Sequence, residues 1–279
     1  GEMIFLLNSV MAGIKSVANK NGKVVMPAYT HMQVAKPVKF GDYIMAYRDM
    51  LGRDISRLKD CVKRLNYSPL GAGAVGGTGF KLDRKAVAKE LKFAGVVPNL
   101  VDAVSDRDFV IEYVFCLSMI MMHLSRLSED MIIWMTSEFN FILIDESFMT
   151  GSSLLPHKKN PDACELTRGK AGRVFGDLLA LLTMMKGLPL TYNRDMQEDK
   201  QSLFDSNDTV KIALKVYAKM LPTMKVNASS MSGSLKKGNA DALDTVNTLV
   251  KKGVPFRTAH EIVGKAIVLS EEHSLRRWY

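Results

Sequence analysis

The segment from Gly151 to Glu165 concentrates the residue types most able to do chemistry. It reads Gly-Ser-Ser-Leu-Leu-Pro-His-Lys-Lys-Asn-Pro-Asp-Ala-Cys-Glu, so two serines, two lysines and an asparagine stand just ahead of a helix start. Glycine and serine donors, lysine charge and a helix N-terminus together favour binding of an anion. Composition alone leaves a second interpretation equally open, namely a basic surface loop followed by a capped helix.

A second segment, Gly71-Ala-Gly-Ala-Val-Gly76, matches the dinucleotide-binding string but lacks its context. That fingerprint ends a strand and opens a helix whose N-terminus meets the pyrophosphate. Here a long helical pattern and Pro69 precede the string, and three further loop residues, 77–79, follow it. We therefore predict a flexible loop whose glycines permit tight turns or a close backbone approach, and no nucleotide cofactor.

Apolar residues at steps of three and four predict the helices that position these segments. The helix predicted over residues 105–139 is capped by Ser105 and is apolar on more than one face, which predicts a position at the centre of a bundle. The predicted helices span residues 40–66, 105–139, 161–187, 196–220, 240–252 and 256–272. Such long helices favour an extended bundle and an oligomer.

Three intervening segments, residues 26–39, 69–84 and 141–160, lack helical periodicity and are rich in Gly, Pro, Ser and Thr. We predict long irregular loops there, and loops of this length are usually functional or disordered. No alternation of apolar and polar residues is long enough to predict a sheet. The small, polar stretch 227–234 predicts a boundary.

Composition narrows the class of protein. With 279 residues and 47% hydrophobic content, the chain can bury a large core. Three distant cysteines without a CxxC pair fit buried thiols in a reducing compartment, so we expect a cytoplasmic protein. The longest nearly uncharged apolar run, residues 113–122, is too short to span a bilayer, and the N-terminus lacks the basic start and cleavage site of a signal peptide, so we expect neither a membrane span nor a signal peptide. The net charge of +9 is spread along the helices, which favours a solvated basic surface over a nucleic-acid interface.

Several blocks, in one order, resemble the argininosuccinate lyase family of the fumarase/aspartase superfamily. Residues 151–160 resemble the superfamily signature G-S-S-x-M-P-x-K-x-N, and the other similar blocks are residues 26–33, 68–84, 100–109, 168–173 and 187–200. The resemblance implies an all-α fold, with a long central helical bundle over residues 1–232 and an incomplete C-terminal helical domain over 233–279. It also implies a homotetramer with shared active sites, and a fragment that lacks an N-terminal domain before Gly1.

The resemblance further implies a reaction, the reversible elimination of argininosuccinate to arginine and fumarate. Ser152 would be the base, on a loop whose amides and cations lower its pKa. Lys158 would stabilise the dianionic intermediate, and Asn160 would bind a carboxylate. His31, oriented by Glu165, would help protonate the leaving nitrogen.

The remaining implied contacts bind the substrate, and they come from four residues: Thr30, Tyr192, Gln197 and Lys200. No metal or other cofactor is implied. Leu155 stands in place of the usual Met, a change that conserves volume. His157 stands where Gln is common, and we hypothesise that it makes loop closure pH-sensitive.

Other interpretations stay open. Asp106 and Arg107 fit either site residues or a structural ion pair, and we favour the structural one. His123 and His260 lie in helical runs and fit packing or surface roles. Related lyases share the signature but not the block at residues 192–200. A catalytically inactive fragment, or a structural protein similar to delta-crystallin, is the alternative to an enzyme.

Overall fold

The computed structural model describes residues 1–155, 158–237 and 239–275, and it is mainly helical. The helices of this described part are α1 (Glu2–Lys20), α2 (Phe40–Leu65), α3 (Arg84–Glu90), α4 (Leu100–Ser105), α5 (Asp108–Met135), α6 (Asp162–Met185), α7 (Asp199–Met220), α8 (Ala228–Lys237), α9 (Ala242–Lys251) and α10 (Phe256–Leu275). Short 3-10 helices cover Glu146–Phe148, Arg194–Glu198 and Leu221–Thr223. The predicted all-α class is confirmed.

Sheet structure is confined to four small two-stranded ribbons in the described residues. Their strands are β1 (Val25–Thr30), β2 (Gln33–Lys39), β3 (Tyr67–Ser68), β4 (Gly95–Val96), β5 (Ile142–Leu143), β6 (Thr150–Gly151), β7 (Lys159–Asn160) and β8 (Lys225–Val226). β1 pairs with β2, β5 with β8 and β6 with β7, all antiparallel, while β3 and β4 are parallel.

The chain forms two compact units, of which the first comprises residues 1–16, 46–133 and 144–224. Its central element is α5, whose Val114, Leu117 and Ile120 are fully buried. By length and composition alone this helix could also cross a membrane, but half of its most apolar stretch is buried inside the protein. Such burial is what the core helix of a bundle shows, as the apolar pattern predicts.

The second unit comprises residues 17–45 and 134–143 together with the described residues from 225 onward. The ring of Trp134 packs against Phe40 and Tyr43, with ring centroids 5.8 and 5.4 Å apart. Further along, α9 and α10 bury a small core of their own, formed by Val246, Ala259 and Val263.

Four predicted helices are confirmed to within three residues at each end: 40–66 as α2, 161–187 as α6, 240–252 as α9 and 256–272 as α10. The helix predicted over 196–220 is also present, but its first turn is the 3-10 segment Arg194–Glu198 and α7 begins only at Asp199.

The predicted cap at Ser105 is wrong. Ser105 is the last residue of the short helix α4, and its hydroxyl donates to the carbonyl of Val101 at 2.7 Å. The next helix, α5, begins at Asp108, whose N–H donates to the carboxylate of Asp106 at 2.6 Å. The acceptor at this helix start is therefore Asp106.

The predicted irregular loop over residues 26–39 is also wrong, because β1 and β2 form a hairpin there. Pro27 and Pro37 face each other in it, and proline disfavours a central strand because it cannot donate a ladder hydrogen bond. A two-stranded ribbon has only edge strands, so it tolerates both. The boundary predicted at 227–234 lies inside α8, whose start Asn227 caps by accepting from the N–H of Ser230.

Candidate active site

Residues 150–151 and 159–160 form the two antiparallel strands of a β-hairpin. Thr150 pairs with Asn160, and Gly151 pairs with Lys159. The turn between these short strands begins at Ser152, whose N–H donates to the carbonyl of Lys158 at 3.3 Å. Residues 156 and 157 lie outside the described residues, so the hypothesis about His157 stays a hypothesis.

The hydroxyl oxygen of Ser152 accepts two backbone hydrogen bonds. The N–H of Leu154 lies 3.2 Å from it and the N–H of Leu155 lies 3.0 Å from it. Hydrogen bonds donated to an oxygen stabilise its negatively charged form over its neutral form. The folded turn thus supplies the loop amides that the predicted base requires.

The two lysines of the hairpin differ in their partners. Lys159 forms an ion pair with Glu146 in the preceding 3-10 helix. Lys158 is exposed and has no ion-pair partner among the residues that the structure describes. The charge of Lys158 is therefore available to an incoming anion, as its predicted role requires.

The base of the hairpin is fixed to the start of α6. The hydroxyl of Thr150 donates to the carboxylate of Asp162, the first residue of that helix. Glu165 lies in the same first turn and is exposed. Acidic residues are favourable at a helix N-terminus because they complement its dipole.

The block that includes Tyr192 surrounds the start of α7. The hydroxyl of Tyr192 accepts a hydrogen bond from Nε2 of Gln197 at 2.7 Å. Nζ of Lys200 lies 2.7 Å from Oδ1 of Asp199, and Oδ2 of Asp199 lies 2.6 Å from Nε of Arg107. The structure thus pairs Arg107 with Asp199, while the carboxylate of its sequence neighbour Asp106 accepts from the N–H of Asp108.

Thr30 and His31 lie at the tip of the β1–β2 hairpin. Thr30 pairs with Gln33, which leaves His31 and Met32 as a two-residue turn with φ of +53° and +59°. Positive φ at both central residues is the pattern of a type I′ turn, which favours Asn and Gly. Residues held in such strained conformations cluster at functional sites, and His31 is exposed.

The predicted site residues therefore fall into three groups. Ser152, Lys158 and Asn160 share one hairpin, with Glu165 following in α6, while Tyr192, Gln197 and Lys200 gather around the start of α7. Within the described part of the chain, no hydrogen bond or ion pair joins the hairpin to the α7 group. Thr30 and His31 belong to the second unit, so the pairing of His31 with Glu165 stays a prediction.

Sequence reasoning overlooked Asp199. Its side chain is almost fully buried and bridges a substrate-binding candidate, Lys200, to Arg107. A signal was present, since an acid directly precedes the lysine inside a block that resembles the lyase family. The sequence does not show that Arg107, 92 residues earlier in the chain, lies next to this aspartate.

Comparison with known sequences identifies relatives along nearly the whole chain. The model of a family described as "Lyase" matches residues 2–176, and one described as "Argininosuccinate lyase C-terminal" matches residues 239–278. The chain is 52% identical over 273 residues to the argininosuccinate lyase of Acetivibrio thermocellus, covering 98% of this chain and 60% of that protein. It is 53% identical over 262 residues to that of Caldanaerobacter subterraneus, covering 94% and 60%. The chain thus spans about 60% of the length of these relatives.

Solved structures agree on the fold. An EDDS lyase in complex with formate superimposes with a TM-score of 0.88 at 28% identity, covering 98% of this chain and 55% of that one. A class II fumarase from Schistosoma mansoni gives a TM-score of 0.85 at 17% identity, covering 96% and 60%. The fumarase likeness concerns the fold alone.

Proposed function

The chain belongs to the lyase family whose model covers residues 2–176, and on that premise we propose that it carries the bundle and catalytic hairpin of an argininosuccinate lyase. The reaction is elimination of argininosuccinate to arginine and fumarate. The proposal is supported by the names of relatives at 52–53% identity and by the geometry at Ser152.

The observation that carries the proposal is the pair of hydrogen bonds that backbone N–H groups donate to the hydroxyl of Ser152. Elimination begins with removal of a proton from a carbon next to a carboxylate, and such a proton is only weakly acidic. A serine oxygen that accepts two N–H groups is stabilised in the charged form that can take this proton. Lys158, without an ion pair in the described chain, then stabilises the negative charge that spreads into the carboxylate.

The leaving nitrogen needs a proton in the second half of the reaction. We assign this role to His31, directly or through water, with Glu165 fixing its tautomer and stabilising the imidazolium. Substrate contacts come from Thr30, Asn160, Tyr192, Gln197 and Lys200.

We also propose a homotetramer with shared active sites. Helices α6 and α7 carry large apolar side chains that one chain leaves exposed, including Leu166, Leu179, Phe204 and Ile212, each 59–64% exposed. Exposed apolar surface of this kind is typical of association. A particle mass about four times the chain's 31.0 kDa in light scattering is expected, and a monodisperse monomer contradicts it.

Domain division and location are proposed as well. The division into a bundle over residues 1–232 and a C-terminal helical domain over 233–279 is supported by the C-terminal family match at 239–278 and the separate core of α9 and α10. A cytoplasmic location is supported by the three free, buried cysteines.

The activity is tested by following fumarate through its ultraviolet absorbance. The assay uses the 279-residue chain, and in parallel a chimera in which the remaining segments come from the Acetivibrio thermocellus relative. Argininosuccinate is compared with malate, aspartate, adenylosuccinate and EDDS as substrates. We expect the chimera to turn over argininosuccinate and none of the other four compounds.

Two outcomes contradict the proposal. Preferred turnover of another substrate reassigns the reaction within the lyases. A folded tetrameric chimera that turns over none of the five substrates supports the alternative, a catalytically inactive homologue of the delta-crystallin kind.

A further inference from the structure

The backbone at Tyr192 is held by two hydrogen bonds from distant parts of the same unit. The N–H of Tyr192 donates to the carbonyl of Ala74 at 3.2 Å, and the N–H of Thr191 donates to the hydroxyl of Ser105 at 2.7 Å. We infer that the glycine-rich turn at residues 69–77 and the end of α4 position Tyr192 for substrate binding, an inference that rests on the proposed lyase function.

The first support is the conformation of Thr191. Its φ is +71°, a left-handed conformation that a β-branched residue rarely adopts. Such a conformation persists only where surrounding contacts determine it. The two hydrogen bonds lie on Thr191 itself and on the next residue, so they are placed to hold the strained peptide and the tyrosine that follows.

The second support is the construction of the turn. Gly71, Gly73 and Gly77 all have positive φ, and the N–H of Gly77 closes the turn by donating to the carbonyl of Ala72 at 2.5 Å. A Cβ atom at Gly73 would lie 2.7 Å from the carbonyl oxygen of Gly77. Only glycine fits there, and the glycines therefore serve the shape of a turn that presents the Ala74 carbonyl.

The third support is that the turn is fixed to its surroundings. Nε of Arg84 donates to the carbonyl of Leu70 at 2.7 Å, and Nη2 donates to the carbonyl of Val97 at 3.0 Å. The aliphatic part of this side chain runs past Gly71, where a Cβ would approach within 3.0 Å. A carbonyl on a braced turn can hold a partner in place, whereas one on a mobile loop cannot.

The position of Tyr192 matters because its side chain joins the proposed substrate contacts. Its hydroxyl is fixed by Gln197, so both ends of the residue are held, the backbone by Ala74 and the ring by Gln197. The string that resembled a nucleotide fingerprint thus gains a role that requires no nucleotide.

The test uses two substitutions with matched controls. Gly73→Ala introduces the clash with Gly77, and its control Gly79→Ala places a Cβ where no atom lies within 4 Å. Ser105→Ala removes the other acceptor, and its control Ser9→Ala removes a serine that makes the same bond to the fourth preceding carbonyl. Ser105→Thr restores the hydroxyl and should rescue the loss.

The first measurement is hydrogen exchange at the amides of residues 191 and 192 in the 279-residue chain, which needs no activity. We expect exchange about tenfold faster in Gly73→Ala and Ser105→Ala, with no change in the controls. Unchanged protection at residue 192 in Gly73→Ala overturns the inference. Thermal unfolding, run alongside, identifies any variant that has lost the fold.

The second measurement is kinetic and uses the chimera. We expect KM for argininosuccinate to rise about fivefold in both variants, with kcat nearly unchanged, as for loss of one binding contact. Faster exchange with an unchanged KM also overturns the inference, since the turn then holds a residue that binding does not use. Absence of turnover in the unsubstituted chimera refutes the proposed function. It then also refutes a role of the turn in binding argininosuccinate. The exchange data still show whether the turn holds Tyr192.

Discussion

Nε of Arg107 lies 2.6 Å from Oδ2 of Asp199, in an ion pair whose side chains are only 17% and 6% exposed. The same guanidinium donates from Nη1 to the carbonyl of Asp106 at 2.6 Å, while the other carboxylate oxygen of Asp199 contacts Lys200. One aspartate thus links the start of α5 to a substrate-binding candidate at the start of α7. We therefore expect removal of Asp199 to affect both the stability of the fold and the substrate contact proposed for Lys200.

Substitution of Asp199 by alanine should destabilise the fold. It leaves Arg107 largely buried without its partner, which costs about 2–4 kcal/mol in the free energy of unfolding, less than for a fully buried pair. Urea denaturation measures the loss. Asp60→Ala is the matched control, since Asp60 also pairs with a lysine but on an exposed helix face, and we expect no resolvable loss there. Equal effects of the two substitutions would show that burial of the Arg107 pair contributes nothing.

Substitution of Ser152 by alanine should abolish elimination while leaving substrate binding intact, because only the oxygen that takes the proton is lost. Turnover of argininosuccinate and binding of the unreacted substrate by calorimetry measure the two effects. Ser153→Ala is the control, because Ser153 is exposed and its hydroxyl does not accept the hydrogen bonds that Leu154 and Leu155 donate to Ser152. Retained turnover in Ser152→Ala removes this residue as the base.

The two adjacent lysines should respond differently to substitution by methionine. Lys158→Met removes the charge proposed to stabilise the intermediate, so kcat should fall by roughly 100-fold or more. Lys159→Met breaks an exposed ion pair with Glu146 and should change kcat little. Steady-state kinetics with argininosuccinate decide the matter. A larger fall in kcat for Lys159→Met than for Lys158→Met would assign stabilisation of the intermediate to Lys159.

The parts of the fold that the sequence predicts well are those governed by local periodicity. The stripe along α2 and the proline and aspartate at the start of α6 need no distant partner to be recognised. The β1–β2 hairpin escapes recognition because both strands contain proline, β1 buries two adjacent residues instead of alternate ones and β2 is mostly exposed, so neither alternation nor propensity indicates a sheet. At Ser105 the capping preference is real, but Asp106 takes the role and the serine hydroxyl receives Thr191 instead.

In the candidate site, too, the sequence predicts features set by local residue types but not contacts between distant residues. Residue types in the 151–160 segment predict an anion-binding loop, and in the structure Lys158 is exposed there while the N–H groups of Leu154 and Leu155 donate to Ser152 itself. The link from Arg107 to Asp199 and the link from Ala74 to Tyr192 each join residues far apart in sequence. The second uses a backbone carbonyl, for which no residue type is diagnostic, so only the folded structure reveals it.

The buried cysteines should resist thiol reagents in the folded state. Burial raises the pKa of Cys116 from its ordinary 9.0 to about 12 and that of Cys164 to about 11, and it also raises the pKa of Cys61. Only the thiolate reacts, so at about pH 8 a disulfide reagent should label them after unfolding in urea but not before. Rapid labelling of the native protein contradicts this burial.

The same thiols make stability fall in alkali. A pKa raised by folding favours the protonated thiol, so its contribution is fully present below pH 9.0 and is lost as pH rises towards about 12. The free energy of unfolding should therefore decrease over this window. Cys116→Ala should lessen that decrease, as measured by urea denaturation at several pH values. An identical pH slope in the variant would assign the decrease to other groups.

Substitution of His31 by asparagine separates the chemistry of this residue from its place in the turn. Asparagine tolerates positive φ better than most residues, so the β1–β2 hairpin and its +53° conformation should be retained. The imidazole is lost, and with it the proposed proton donor, so kcat should fall by about 100-fold while the unfolding free energy stays nearly constant. Met32→Gly is the control, because it relaxes the neighbouring strained residue without touching the imidazole and should leave kcat unchanged. If His31→Asn keeps full turnover, the leaving nitrogen is protonated by another group, and the strain at this hairpin tip serves structure alone.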